Sequence, residues 1–233
     1  MQSLSALWTS PLLWLTATVV VFAGADWVSR RSGRNPLCHP MLLSAPVLIA
    51  LLLMTGVSYP TYARATAILP FLLGPAVVGL AVPIWAQRGT IRRLALPLAA
   101  ALLAGSVTAI VSAVGIAWMF GAPAEVLASI APRATTTPVA MAITEQLGGT
   151  VSLAAAIVII AGVTGGVSGT ALMNLLRIRD YRARGFAVGV SAHAFGAARA
   201  FQVNDTAGTY ASLGMALNAV LTSILLSVAA LFL

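Results

Sequence analysis

Apolar residues run along this chain in long blocks separated by short polar stretches. Six blocks are long enough to cross a bilayer: residues 8–28, 41–57, 68–86, 94–120, 150–176 and 207–233. A transmembrane helix needs roughly 20 predominantly apolar residues, and each block comes close to that. Two shorter apolar pieces, 123–147 and 185–201, are interrupted at mid-length by small and polar residues. The pattern predicts an all-α polytopic membrane protein with about six full spans. Pro70, Pro75 and Pro83 fall in the third block and predict a bent helix there.

Composition supports the bilayer as solvent. Hydrophobic residues make up 60% of the chain and charged residues 8%, against about 25% charged in a soluble domain. Mean hydropathy is +0.98. Net charge is +8 and all 13 basic residues are Arg. Basicity of this kind does not point to nucleic acid, because the arginines sit in short loops between apolar runs. There they act as topological anchors. No basic residue precedes the first apolar run, so it is expected to stay as a span rather than be removed as a leader.

Three arginine clusters set the expected orientation: Arg30, Arg31 and Arg34; Arg88, Arg92 and Arg93; Arg177, Arg179, Arg182 and Arg184. All three belong in the cytoplasm by the positive-inside rule. The loop 58–67 carries only Arg64 and belongs outside. Counting crossings then places the N-terminus outside. It also requires 123–147 to enter and leave on the outer side, and 185–201 on the inner side. Both read as re-entrant hairpins of two half-helices. A span plus outer hairpin (94–147) followed by a span plus inner hairpin (150–205) makes an inverted repeat, an organisation common in secondary transporters. Residues 1–93 supply N-terminal spans and 207–233 a last span, all in one domain. The competing reading is two kinked helices that cross fully, which would strand the four-Arg loop outside.

Three segments carry candidate chemistry. In 131–138, Pro132 and Pro138 flank Thr135, Thr136 and Thr137. Pro138 is placed to launch a half-helix, with Thr137 as its N-cap. A helix N-terminus at membrane depth offers free N–H groups to a carboxylate. In 191–199, His193, Gly196 and Arg199 lie in a run of small residues. Arg199 is a bidentate carboxylate ligand or an anchor at the interface. His193 is a proton-coupling group or a packing histidine. Glu145 is a second proton-coupling candidate, or an acid facing water. In 162–170, Gly162/Gly166 and Gly165/Gly169 let another backbone approach closely, whether a hairpin or a partner helix. Cys38-His39 stands without further ligands, so no metal site is expected. No hydrolase, zinc-protease or phosphate-loop motif is present. Neither enzyme activity nor a cofactor is expected.

These segments resemble the LrgB/CidB family of bacterial membrane proteins. Residues 132–141 (PRATTTPVAM) are similar to its "P-K/R-S-V-T-T-P-I-A-M" stretch. Residues 183–189 (ARGFAVG) and 192–200 (AHAFGAARA) match its "A-R-G-L-A-x-G" and "A-H-A-I-G-T-A-R-A" elements. Asn35-Pro36-Leu37, residues 55–59 (TGVSY) and residues 73–78 (LGPAVV) look familial too, so the likeness covers nearly the whole chain in order. Ala134, Ala197 and Ala207 depart from the family pattern, and roles resting on those positions are not carried over.

The resemblance implies two histories. Bacterial members were described as modulators of autolysis acting with a small holin-like LrgA/CidA partner, and have been linked to pyruvate. Plant relatives resemble a plastid glycolate/glycerate translocator in which an LrgA-like half precedes the LrgB-like half. The expectation is a component for transport of small monocarboxylates in the bacterial inner membrane, with a separate LrgA/CidA-like partner. The alternative is a protein that restrains a holin-like pore, affecting murein hydrolase activity, and moves nothing itself. Whether the assembly is a homo- or hetero-oligomer is open.

Overall fold

A computed structural model describes residues 10–231. Every regular element among them is helical. The outer ends of the first and last predicted spans, 8–9 and 232–233, lie outside the described residues. The chain packs as two compact units, one up to Ala81 and one from Val82 onward. Five helices are long and apolar enough to cross a membrane, or six if one bent pair counts as a span. The protein is therefore a multi-pass membrane protein.

In the first unit α1 spans Pro11–Arg31, α2 Pro40–Thr55, α3 Tyr59–Ala65 and α4 Ile68–Gly79. Pro11 and Pro40 open their helices where a missing N–H costs nothing. Asp26 near the end of α1 is paired with Arg30 at 2.5 Å and Arg34 at 2.9 Å. His39 caps α2, its Nδ1 accepting from the Met41 N–H at 3.3 Å. A capping bond thus occupies Nδ1 of the histidine beside Cys38. The predicted span 41–57 appears as α2, displaced by one or two residues at each end. Gly56, at φ +67°, ends α2, and α3 departs at 120°. Sixteen helical residues reach only about 24 Å, short of a ~30 Å hydrocarbon core. Trp14 is fully buried and meets Tyr62 edge-on, with ring centroids 5.7 Å apart.

The boundary falls at the first residue of α5 (Ala81–Ala86), which α6 (Arg88–Arg93) follows in the second unit. That unit then builds on three long helices: α7 (Ala95–Met119), α10 (Val151–Leu175) and α12 (Asp205–Ala230). Between α7 and α10 lie α8 (Ala124–Ile130) and α9 (Thr137–Gln146), joined by residues 131–136. Between α10 and α12 lies α11 (Tyr181–Val203), which is not one rod. Ala192 (φ −127°, ψ 15°) and His193 (φ 41°, ψ −131°) break it.

The chain reverses at that break. In a straight helix residues eight apart are separated by about 12 Å. Yet a Cβ on Gly196 would lie 2.5 Å from the carbonyl oxygen of Val188. The inner hairpin thus runs from Tyr181 to Val203, a few residues longer at each end than the apolar pattern indicated. Its first arm lies parallel to α12. A Cβ at Gly185 would meet the Ala207 oxygen at 2.1 Å, and one at Gly189 the Ala211 oxygen at 2.0 Å. Backbone touches backbone there because neither glycine has a side chain. Phe186, Val190 and Tyr210 form a core against which Leu94, the residue before α7, and Leu98 of α7 pack. The end of α7 beside Arg92 and Arg93 is therefore the end where the Arg177–Arg184 loop lies.

Candidate functional site

Both hairpin turns come to one side chain, Asn218. It lies 13 residues from the start of α12 and 12 from its end, so roughly 19 Å from either. Its Nδ2 donates to the Ala134 carbonyl at 2.8 Å and the Val190 carbonyl at 3.1 Å. Its Oδ1 accepts from Ser106 Oγ at 2.6 Å and Thr222 Oγ1 at 3.2 Å. Two carbonyls can only accept, so the amide orientation is forced. Ala134 belongs to the turn between α8 and α9, Val190 to the tip of the first arm of α11, and Ser106 to the middle of α7. Asn218, Ser106 and Thr222 are buried. Sequence reading passed over this node, although a lone Asn amid 26 mostly apolar helical residues was its available signal.

The turn 131–136 is held from several sides. Ala131 packs with Ile143 and Leu226. Thr135 is 1% exposed, and its Oγ1 donates to the Pro132 carbonyl at 2.8 Å. The helix that follows starts one residue earlier than expected. Thr136, with extended backbone, is the N-cap, and its carbonyl accepts from the Ala140 N–H at 2.9 Å. Thr137 is the first helical residue, because Pro138 fits the second position equally well when that N–H has no helical partner. The Thr136 hydroxyl makes no capping bond. Thr136 and Thr137 are half-buried and Pro138 exposed.

His193 stands at the tip of the inner hairpin and is 2% exposed. Its Nε2 donates to the Val158 carbonyl of α10 at 3.0 Å; a carbonyl fixes that nitrogen as the donor. Its ring fills the space over Gly162, where a Cβ would meet Cε1 at 2.6 Å, and stands edge-on to Phe195. Gly165 faces Ala192 and Gly169 faces Val188. The glycine strip of α10, including buried Gly162, Gly166 and Gly169, is therefore covered by the protein's own inner hairpin.

Arg199 lies on the returning arm, six residues past the tip, and is 7% exposed. Its Nη1 donates to Gln202 Oε1 at 3.1 Å. It lines a crevice of about 30 Å³ with Gly166, Gly169, Thr170 and Arg184, room for about one water. Glu145 is exposed in the last turn of α9, at the mouth of the outer hairpin rather than its tip. That mouth is closed by Thr150, whose hydroxyl donates to Glu125 and whose N–H donates to Ser129 Oγ at 2.8 Å.

A larger cleft of about 460 Å³ lies between α7 and the first arm of α11. Asp180, Arg182 and Tyr210 line one end, Gly105 and Val190 the other. It leads from the arginine-rich end of the bundle to the level of Asn218. At its mouth Asp180 caps α11 and takes 2.6 and 3.0 Å bonds from the Arg182 guanidinium. Those bonds hold the Asp180 carboxyl below its usual range. Among the described residues no three His, Cys, Asp or Glu side chains gather as metal ligands.

A bundle of long apolar helices, with two broken hairpins bonded to a mid-depth amide, defines a polytopic membrane protein with polar turns buried at its centre. Residues 18–232 match the model of the LrgB-like family; the chain belongs to that family. It is 34% identical over 208 residues to YwbG of Bacillus subtilis (strain 168), covering 89% of this chain and 92% of that one. It is 30% identical over 217 residues to the "Holin-like protein CidB" of Staphylococcus aureus (strain Mu50), covering 93% and 94%. No solved structure matches the chain.

Proposed function

We propose that the protein is a carrier component for small monocarboxylates of glycolate, glycerate or pyruvate size, and not an enzyme. It works in the bacterial inner membrane with an LrgA/CidA-like partner, its N-terminus outside. The carrying observation is the meeting of two hairpin turns at Asn218, midway along α12. Irregular backbone at membrane depth is tolerated only where it is buried in protein or lines a wet cavity. Two such turns from opposite ends are what an inverted-repeat carrier needs around a central site.

In this reading the carboxylate reaches the turns through the cleft that opens beside Asp180 and Arg182. At the outer turn it meets the Thr136 hydroxyl and the N–H groups that open α9. Arg199 serves the inner side. Its crevice admits one water, so it must widen by hairpin movement when substrate passes. Thr136→Val and Arg199→Lys are therefore expected to reduce transport while insertion is normal; Lys keeps the charge but not the planar fork.

The name of the Staphylococcus aureus relative favours a second reading, a protein that modulates a holin-like pore and autolysis without moving solute. Uptake into proteoliposomes separates the two. A carrier gives saturable accumulation of labelled glycolate or pyruvate that unlabelled substrate inhibits. Flux that never saturates, or none with or without the partner, overturns the carrier reading.

A further inference from the structure

Arg133 sits in the outer hairpin turn, one residue from Ala134, whose carbonyl is bonded to Asn218. Consecutive Cα atoms are about 3.8 Å apart, so Arg133 shares the mid-depth level of that node. Both ends of α12 are roughly 19 Å away. An arginine side chain reaches only ~7 Å, too little to snorkel to an interface from there. Arg133 is half-buried.

The chain has five Asp and Glu side chains, and the structure places each away from this turn or in another engagement. Asp26 is paired with Arg30 and Arg34, and Asp180 with Arg182. Glu125 accepts from Thr150 at the hairpin mouth. Glu145 is exposed eight residues along α9 from Thr137, about 12 Å down that helix. Asp205 is exposed in the first turn of α12. A guanidinium at membrane depth is expensive without a counter-charge or a wet cavity.

We infer that Arg133 is the charged ligand of an anion site at the outer turn, shared with the Thr136 hydroxyl and the start of α9, and that the site selects monoanions. This rests on the carrier reading. The outer turn holds one guanidinium, which matches one negative charge; Arg199 lies on the returning arm of the other hairpin, six residues past its tip. A dicarboxylate would leave a net charge at mid-depth, where charge is costly.

The test uses the full-length protein in nanodiscs, with labelled pyruvate, glycolate and succinate as probes and Arg133→Gln and Arg133→Lys as variants. Pyruvate and glycolate are expected to bind wild type and succinate not to compete. Arg133→Gln is expected to weaken pyruvate binding about tenfold or more, with Arg133→Lys between. A structural arginine predicts the opposite of this site in a second readout. Removing an uncompensated charge raises the melting temperature of the ligand-free protein, by about 3 °C or more, and abolishes its rise on adding pyruvate. Wild-type pyruvate affinity in Arg133→Gln, or a lower ligand-free melting temperature, overturns the inference. So does loss of partner co-purification with pyruvate binding intact, which makes Arg133 an interface residue. If wild type binds neither monocarboxylate yet Arg133→Gln still melts higher, the carboxylate reading fails while the anion site stands.

Discussion

At Gly185, Gly189 and Gly214 the space of a missing side chain is occupied by a neighbouring backbone. A Cβ at Gly189 would stand 2.0 Å from the Ala211 carbonyl oxygen, and one at Gly166 no closer than 3.8 Å to anything. Gly189→Ala is therefore expected to cost about 3 kcal/mol or to abolish folded yield. Gly166→Ala should stay within about 0.5 kcal/mol of wild type. Melting curves of the purified variants in detergent decide it, and similar values for both contradict the packing described. Asn218→Leu removes two donors and leaves the Ala134 and Val190 carbonyls unbonded. It should cost about 1–3 kcal/mol in the same assay. Asn218 was legible only as an oddity of composition. Its partners are 84, 28 and 112 residues distant, and pairings at that separation leave no local trace. The Thr136 turn and the His193 break were legible, because proline and runs of small residues disturb helical pattern directly.

At the scale of elements, the long helices ended close to where punctuation placed them. Arg93, Gly121, Gly148 and Arg177 bound α7 and α10 within a residue or two of the expected spans. The end of α2 at Gly56 falls within two residues of the expected one, but α3 reads in the sequence as part of the loop 58–67, because its seven residues are too few and too mixed to show a helical pattern. Gly185 and Gly189 read as hairpin filler; only α12 beside them reveals the close contact. The start of α11 also carries a pH dependence. Asp180 is held below its usual pKa by the Arg182 guanidinium, with the Arg182 N–H assisting. A depressed carboxylate stabilises the fold above its unfolded pKa of about 3.9, and that contribution fades as pH falls through the lower folded value. Wild type and Asp180→Asn should thus differ in melting temperature at pH 7 and converge below about pH 3. The pair is exposed, so the difference should be small. A gap that widens in acid contradicts the assignment.

For the whole molecule, α8 and α11 start at opposite ends of α10: Glu125 bonds Thr150, the N-cap before its first residue, and Arg184 bonds Asn174 in its last turn at 2.7 Å. With Cys38 replaced, cysteines at positions 125 and 182 should label from opposite sides of the membrane, position 182 from the cytoplasm. Labelling of both from one side contradicts the hairpin topology. The covered glycine strip bears on partnership too: α11 already fills that groove, so the proposed LrgA/CidA-like partner would need other apolar surface. The most direct measurement of the central claim is substrate protection at the outer turn. In a cysteine-free background Thr136→Cys is treated with a membrane-impermeant thiosulfonate in intact vesicles. The account predicts labelling that saturating pyruvate or glycolate slows several-fold and sulfate does not. A cysteine that stays unlabelled from both sides, or labels at one rate whatever carboxylate is present, contradicts a substrate site at the meeting point of the hairpins.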